Sequence, residues 1–355
     1  MSLLTSVDTR LSRVDDFSAL FDAALHEFLA NRPDVAPELA AELREMVRAG
    51  GKRMRPRFAW EGWRAAGGGG DEDVVVRALV ALELLQCCAL VHDDVMDRST
   101  VRRGRPTVHE VFMMRHRRSR WAGSARQYGD SAAVLVGDLA LAWADDALVT
   151  AGLSGAALQR AWVPWQAMRV EMMAGQHLDL LGVARREESL EQALRVAALK
   201  TAAYTVERPL HLGAALADAG PDVVACLREF GRDVGVAFQL RDDLIGVFGD
   251  PAVTGKPVGE DLREGKRTAL MALALSRATN GSAAVLRRAL AGPVNDALVE
   301  RVCGLLVEIG AVDAVEEHID VLVTSGLAAL DRTALDPEAK RELVKLAGKA
   351  TVRKA

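Results

Sequence analysis

The sequence predicts an all-α fold. Three observations carry that expectation. Apolar residues recur at three-to-four spacing along most of the chain, and Ala and Leu dominate while only 5% of the 355 residues are aromatic. No run of note alternates apolar and polar residues as a half-buried strand would. Half of the residues are hydrophobic, enough for a sizeable core, and the length allows one large domain or two. A formal net charge of −4 argues against a nucleic-acid binder, whose footprint is basic. Cys87, Cys88, Cys226 and Cys303 show no CxxC spacing and read as reduced thiols of a cytosolic protein. No apolar core of signal-peptide length follows Met1, and no stretch approaches about 18 uncharged apolar residues, so no membrane span is expected.

Residues 14–31 and 37–49 read as the first two helices. Gly50-Gly51 ends the second, and Pro56 suits the first turn of the next. That places Lys52 and Arg55 beside a helix N-terminus, where cations and backbone N–H groups form an anion site; a solvated basic turn is the plainer alternative. After the Gly67–Gly70 link, residues 73–97 form a helix apolar nearly all round, hence central and buried. Met114–Arg120 reads as an exposed basic loop. Residues 130–151 and 155–181 read as helices, with Pro164 expected to kink or split the second. In residues 190–217, Lys200-Thr201 lies among apolar neighbours, so the lysine must snorkel out or meet an anion. Residues 222–248 form another long helix, closing on Gln239 and the acidic pair Asp242-Asp243. The segment Gly249–Arg267 reads as a loop without structure of its own, long enough for a lid, and supplies Lys256, Asp261 and Lys266. Helices resume from Thr268.

The chemistry centres on Leu90–His109, LVHDDVMDRSTVRRGRPTVH. On a helix Asp93 and Asp97 point the same way, about 40° apart, with Asp94 beside them. Stacked carboxylates need a cation between them. Oxygen-only ligands suit Mg²⁺, which is held by one or two carboxylates plus substrate phosphates. Arg102 and Arg103 would meet the rest of a phosphate's charge. A solvated acidic helix face is the alternative, and the second acidic helix end weighs against it. Two acidic ends, two basic sites and an aromatic-poor interior suit several Mg²⁺ ions holding a diphosphate that departs, with a metal-free anion site at Lys52 and Arg55.

In order along the chain, GGKRMRP, DDVMDRSTVRRGRPTVH, GQHLDL, KT, FQLRDD and GDPAVTGKPVGEDLREGKRT resemble the trans-isoprenyl diphosphate synthases, or polyprenyl synthetases, and among them the geranylgeranyl diphosphate synthases. The likeness covers residues 20–350 or so of a chain read as one domain, 1–355. It implies a bundle of long antiparallel helices around a deep central cavity, of the isoprenoid synthase type, in a cytoplasmic homodimer. The implied reaction is Mg²⁺-dependent condensation of isopentenyl diphosphate with an allylic diphosphate. The implied Mg²⁺ ligands are Asp93, Asp97 and Asp242, with Asp94 and Asp243 supporting. Arg102, Lys200 and Lys256 would grip the allylic diphosphate, with Lys266 nearby. Lys52, Arg55, Gln86 and Arg103 match the isopentenyl diphosphate site, and Thr201 and Gln239 would sit beside the developing cation. One departure stands out: the second aspartate motif often reads DDxxD, and here its fifth position is Gly246.

Product length is read from the helix bearing Asp93. Cys88 and Ala89 upstream are small, with Leu84 and Leu85 a turn further, which suggests geranylgeranyl diphosphate; farnesyl or longer-chain products are the alternatives. A class I terpene cyclase is a rival, yet Asn31, Asn280 and Asn295 all lack the Ser or Thr four residues on that its metal motif carries. A non-catalytic partner subunit is the other rival, and the retained Asp93, Asp97, Asp242 and Lys200 argue against it.

Overall fold

The computed structural model describes residues 13–32, 36–250 and 258–352, and for 13–16 the helical backbone alone. Lys256 and the residues after Met1 over which no leader is expected lie outside them. The chain is all-α as expected; among the described residues the sheet is a two-stranded hairpin, Val101–Arg102 (β1) with Arg105–Pro106 (β2). The helices divide into two compact units: the described residues up to Pro56 with Gly69–Leu158, and Arg57–Gly68 with the chain from Gln159 onward.

In the first unit α1 (Arg13–Ala30), α2 (Pro37–Arg48), α4 (Glu72–Asp97), α5 (Val108–Ser119) and α6 (Ala125–Val149) follow in order, with α3 (Met54–Ala65) spanning the boundary. Asp71 caps α4 by accepting from the amides of Asp73 at 3.0 Å and Val74 at 3.3 Å, and the acidic first turn suits the helix dipole. Leu79, Leu82, Leu84 and Leu85 are fully buried, so α4 is the core helix its all-round apolar pattern predicts. Among the described helices α4 is long and apolar enough by length and composition to cross a membrane, but it carries Arg77 and Glu83, and 72% of its apolar window is buried within the protein. The basic cluster around Arg115 is not a loop but the end of α5, where cations suit the helix C-terminus and Arg115 holds Glu42 at 2.8 Å.

α7 (Gly155–Arg185) runs into the second unit after Leu158; beyond a break at residues 186–189 follow α8 (Leu190–Val196), a π-helical segment (Ala197–Glu207) and α9 (Arg208–Leu216) without interruption. Pro164 does not split α7: Ala161, Trp165 and Met168 are buried on either side of it, and their packing offsets the missing amide bond. Next comes α10 (Pro221–Phe248), which packs on the π-helical segment and on the later helix Ala311–Ala329. The last helices are α11 (Glu260–Arg263), α12 (Ala269–Arg277), α13 (Asn280–Ala291), α14 (Asp296–Glu308), α15 (Ala311–Ala329) and α16 (Pro337–Thr351). Of the segment after α10, the described residues from 258 onward carry structure where none is expected. Gly259, at φ +73°, donates its N–H to Val247 O at 3.2 Å and starts α11. A four-residue helix is too short to leave a periodic signal.

Candidate active site

In the first unit the acidic residues close α4. Arg98 turns left-handed (φ 57°), and the next turn, Arg103 (φ 54°) and Gly104 (φ 73°), bends β1 into β2 as a two-residue hairpin with both central φ angles positive. That fold-back returns Arg102 to the helix end. Its Nε donates to Asp94 Oδ1 at 2.7 Å, and its Nη2 lies 2.7 Å from Asp94 Oδ1 and 3.5 Å from Asp93 Oδ2. Asp94 is 2% exposed; burial raises its pKa, and Arg102 opposes that rise. Asp93 and Asp97 are half-buried.

The second hairpin arginine turns elsewhere. Arg103 donates to Gly50 O, and its guanidinium lies so near Gly51 that a Cβ there would stand 3.3 Å from Nη1. It thus joins the Gly50–Arg55 segment, where Lys52 is exposed and Arg55 half-buried; Gln86 is half-buried on α4. Sequence reasoning missed Arg53, which holds Glu83 and Asp22 and donates to Val47 O at 3.1 Å. The available signal was Glu83 itself, a carboxylate in an apolar helix that needs a cation.

In the second unit the π-helical segment carries Lys200 and Thr201. It approaches α7 at Gly175, where a Cβ would overlap Lys200 N and stand 2.6 Å from Lys200 Cα. Lys200 Nζ binds Asp179 Oδ2 at 2.6 Å, a partner the sequence leaves unidentified. Thr201 donates its hydroxyl to Gln239 Oε1, and Gln239 Nε2 donates to Asp243 Oδ1 at 2.7 Å. The Ala269 amide at the start of α12 donates to Asp243 Oδ2 at 3.3 Å. Burial pushes the Asp243 carboxyl up to about 8, with Asp261 and Asp242 adding to the rise. Asp242 is half-buried. Lys266 Nζ holds Glu264 Oε2 at 2.6 Å and stands 3.5 Å from Asp261 Oδ1.

Each acidic pair therefore has one member turned inward and tied down, Asp94 or Asp243, beside a more accessible carboxylate. Among the described residues no three His, Cys, Asp or Glu side chains gather to hold a metal by themselves. An oxygen-only set of one or two accessible carboxylates beside phosphate-binding cations fits Mg²⁺, which completes its shell with substrate phosphates and water. Of the residues from which product length is read, as the floor under the growing chain, Cys88, Leu84 and Leu85 are buried and Ala89 is half-buried. Cys88 Sγ lies 3.7 Å from His92 Nδ1, and His92 Nε2 lies 3.2 Å from Val134 O, so Cys88 faces α6.

The Polyprenyl synthetase family profile matches residues 36–306. A geranylgeranyl pyrophosphate synthase from Corynebacterium glutamicum, in a crystal structure complexed with isoprenyl diphosphate and magnesium, is 42% identical and superposes with a TM-score of 0.92, covering 96% of this chain and 99% of that one. The geranylfarnesyl diphosphate synthase of Aeropyrum pernix is 33% identical over 329 residues, 91% of this chain and 96% of its own length. The geranylgeranyl diphosphate synthase of Mycobacterium tuberculosis is 36% identical over 278 residues, 77% of this chain and 73% of its own. Fold and relatives together define the class, an all-α prenyltransferase. The chain belongs to the polyprenyl synthetase family, among the short-chain isoprenyl diphosphate synthases.

Proposed function

We propose that the protein condenses isopentenyl diphosphate with an allylic diphosphate in a Mg²⁺-dependent reaction whose main product is geranylgeranyl diphosphate. The observation that carries this reading is the divergence of the hairpin arginines: Arg102 lies on the acidic helix end, and Arg103 on the Gly50–Arg55 segment. One turn thus serves two anion sites, one with carboxylates for a metal and one with cations alone. Asp93, Asp97 and Asp242 are the Mg²⁺ ligands, with Asp94 and Asp243 holding neighbouring side chains in place. Several bound Mg²⁺ ions would neutralise the charge of the departing diphosphate. Arg102, Lys200, Lys256 and Lys266 hold the allylic diphosphate; Lys52, Arg55, Gln86 and Arg103 hold isopentenyl diphosphate. The Thr201 and Gln239 dipoles, oriented through Asp243, stabilise the developing cation. The protein works as a cytoplasmic homodimer and as one domain over 1–355; the one-domain reading is supported by a family match that runs through residues of both compact units.

The test is to incubate the purified protein with Mg²⁺, isopentenyl diphosphate and, separately, dimethylallyl, geranyl and farnesyl diphosphates, and to resolve products by length. Geranylgeranyl diphosphate, lost on chelation, is the expected result. A farnesyl or longer product refutes the proposed length. Hydrocarbon from a prenyl diphosphate alone indicates a cyclase, and silence with every primer a partner subunit.

A further inference from the structure

The turn between α5 and α6 gathers positive charge and an aromatic side chain outside the site described above. Residues 111–129 hold Arg115, Arg117, Arg118, Arg120 and Arg126 with no Asp or Glu among them, in a chain whose formal net charge is −4. Arg115 is taken by Glu42 and Arg126 by Asp130. Arg117, Arg118 and Arg120 are exposed and make no ion pair among the described residues. Trp121 follows them and is 47% exposed, whereas the other tryptophans, Trp60, Trp63, Trp143, Trp162 and Trp165, are buried or half-buried.

The indole is held in place. Arg120 turns left-handed (φ 53°) and donates its N–H to Arg117 O at 3.2 Å, and the Trp121 N–H donates to His116 O at 3.3 Å. The Trp121 ring stands edge-on to His116 and Tyr128, with centroids 5.9 Å and 5.3 Å away. His116 is itself buried, its Nε2 3.0 Å from Ala122 O. A helix C-terminus accounts for cations in its last turn. It does not account for an indole fixed outward beside them, which leaves apolar surface in water.

We propose that this turn is a docking surface for an anionic lipid bilayer. The negative surface of such a bilayer attracts arginines within a Debye length of it, and an indole, apolar with one N–H, settles at the headgroup boundary. A nucleic acid would need a basic track along its backbone, and here the unpaired cations sit on one turn. Contact is peripheral and salt-sensitive, and no segment crosses the bilayer.

The test is co-sedimentation of the full-length protein with vesicles, without substrate, so its outcome is independent of the prenyltransferase reading. Binding is expected to vesicles of equal parts phosphatidylglycerol and phosphatidylcholine, to fall as salt is added, and to be absent with phosphatidylcholine alone. The triple variant Arg117→Gln, Arg118→Gln, Arg120→Gln is expected to lose roughly 100-fold in partitioning, at about 1 kcal/mol per arginine. Its melting temperature and turnover stay at the wild-type level, since these side chains are exposed and unpaired. A control that removes the same charge elsewhere, Arg186→Gln, Arg195→Gln, Arg288→Gln, keeps its binding. On binding, tryptophan fluorescence shifts to the blue in the wild type and not in Trp121→Phe. No binding to the mixed vesicles, equal binding to phosphatidylcholine alone, equal losses in the triple variant and the control, or a blue shift that survives Trp121→Phe each overturns the inference. Arginine-dependent binding to single-stranded RNA with none to vesicles overturns it in favour of a nucleic acid.

Discussion

Burial governs the protonation of Glu61. The side chain is 2% exposed on α3, and Arg64 Nη1 donates to its Oε2 at 3.0 Å. Desolvation nevertheless raises the carboxyl from 4.5 to about 7, with Glu342 adding to the rise and Arg64 and Arg57 opposing it. The folded protein holds this proton at pH values where the unfolded chain has released it, so this group's contribution to stability falls as pH rises from 4.5 to about 7. Glu61→Gln keeps the hydrogen-bond acceptor and removes the titration. The variant is expected to gain in melting temperature over the wild type at pH 8 and not at pH 4; identical pH dependence in both proteins would count against burial as the cause. Nothing in the sequence around Glu61 announces this behaviour, because the shift arises from packing.

At the scale of elements, glycines decide how closely helices approach. At Gly175 the atoms met by a new Cβ are backbone atoms of Lys200 and Leu199, which cannot swing aside. Gly175→Ala should therefore cost about 1–3 kcal/mol and displace the Lys200-Thr201 pair. Denaturant melts and turnover check this, and full activity in the variant would show that the pair tolerates the shift. On α4 the two small floor residues diverge. Cys88 faces α6, and burial pushes its thiol up to about 12, so it is an inert packing group. Ala89 is one turn before Asp93 on the same face. Ala89→Phe is expected to shorten the product, whereas Cys88→Phe overpacks a filled contact and costs about 1–3 kcal/mol. Product chromatography and melting temperature separate the two, and shortening by Cys88→Phe alone would reverse the assignment. The periodicity that revealed α4 and α10 did not reveal the π-helical segment, because one extra residue per turn leaves the same apolar composition.

For the whole molecule, the described helices rest on apolar cores. Each unit has its own buried set, around Leu82 and Leu85 in one and Phe230 and Leu240 in the other. Chelation is therefore expected to abolish turnover while leaving the helical circular-dichroism signal intact; a parallel loss of helicity would make Mg²⁺ structural. Much of this organisation was legible in the sequence, because a helix writes its buried face at three-to-four spacing and its glycine and proline breaks at its ends. The partnerships were not. Arg53 and Glu83 lie 30 residues apart, and Arg241 and Glu316 lie 75 apart, so no local pattern relates them.

The sequence by itself determined the helical class, the placement of acidic residues at the ends of α4 and α10, the basic pairs, and the order of motifs that belongs to the family. These are local properties, set by residues within a turn or two of one another. Only the tertiary structure decided which aspartate of each pair turns inward, that Arg102 and Arg103 part company, that Lys200 meets Asp179, and that Asp261 fills the space beside Gly246. Each depends on groups brought together from distant parts of the chain, where burial and close approach set charge and position in ways that spacing does not encode.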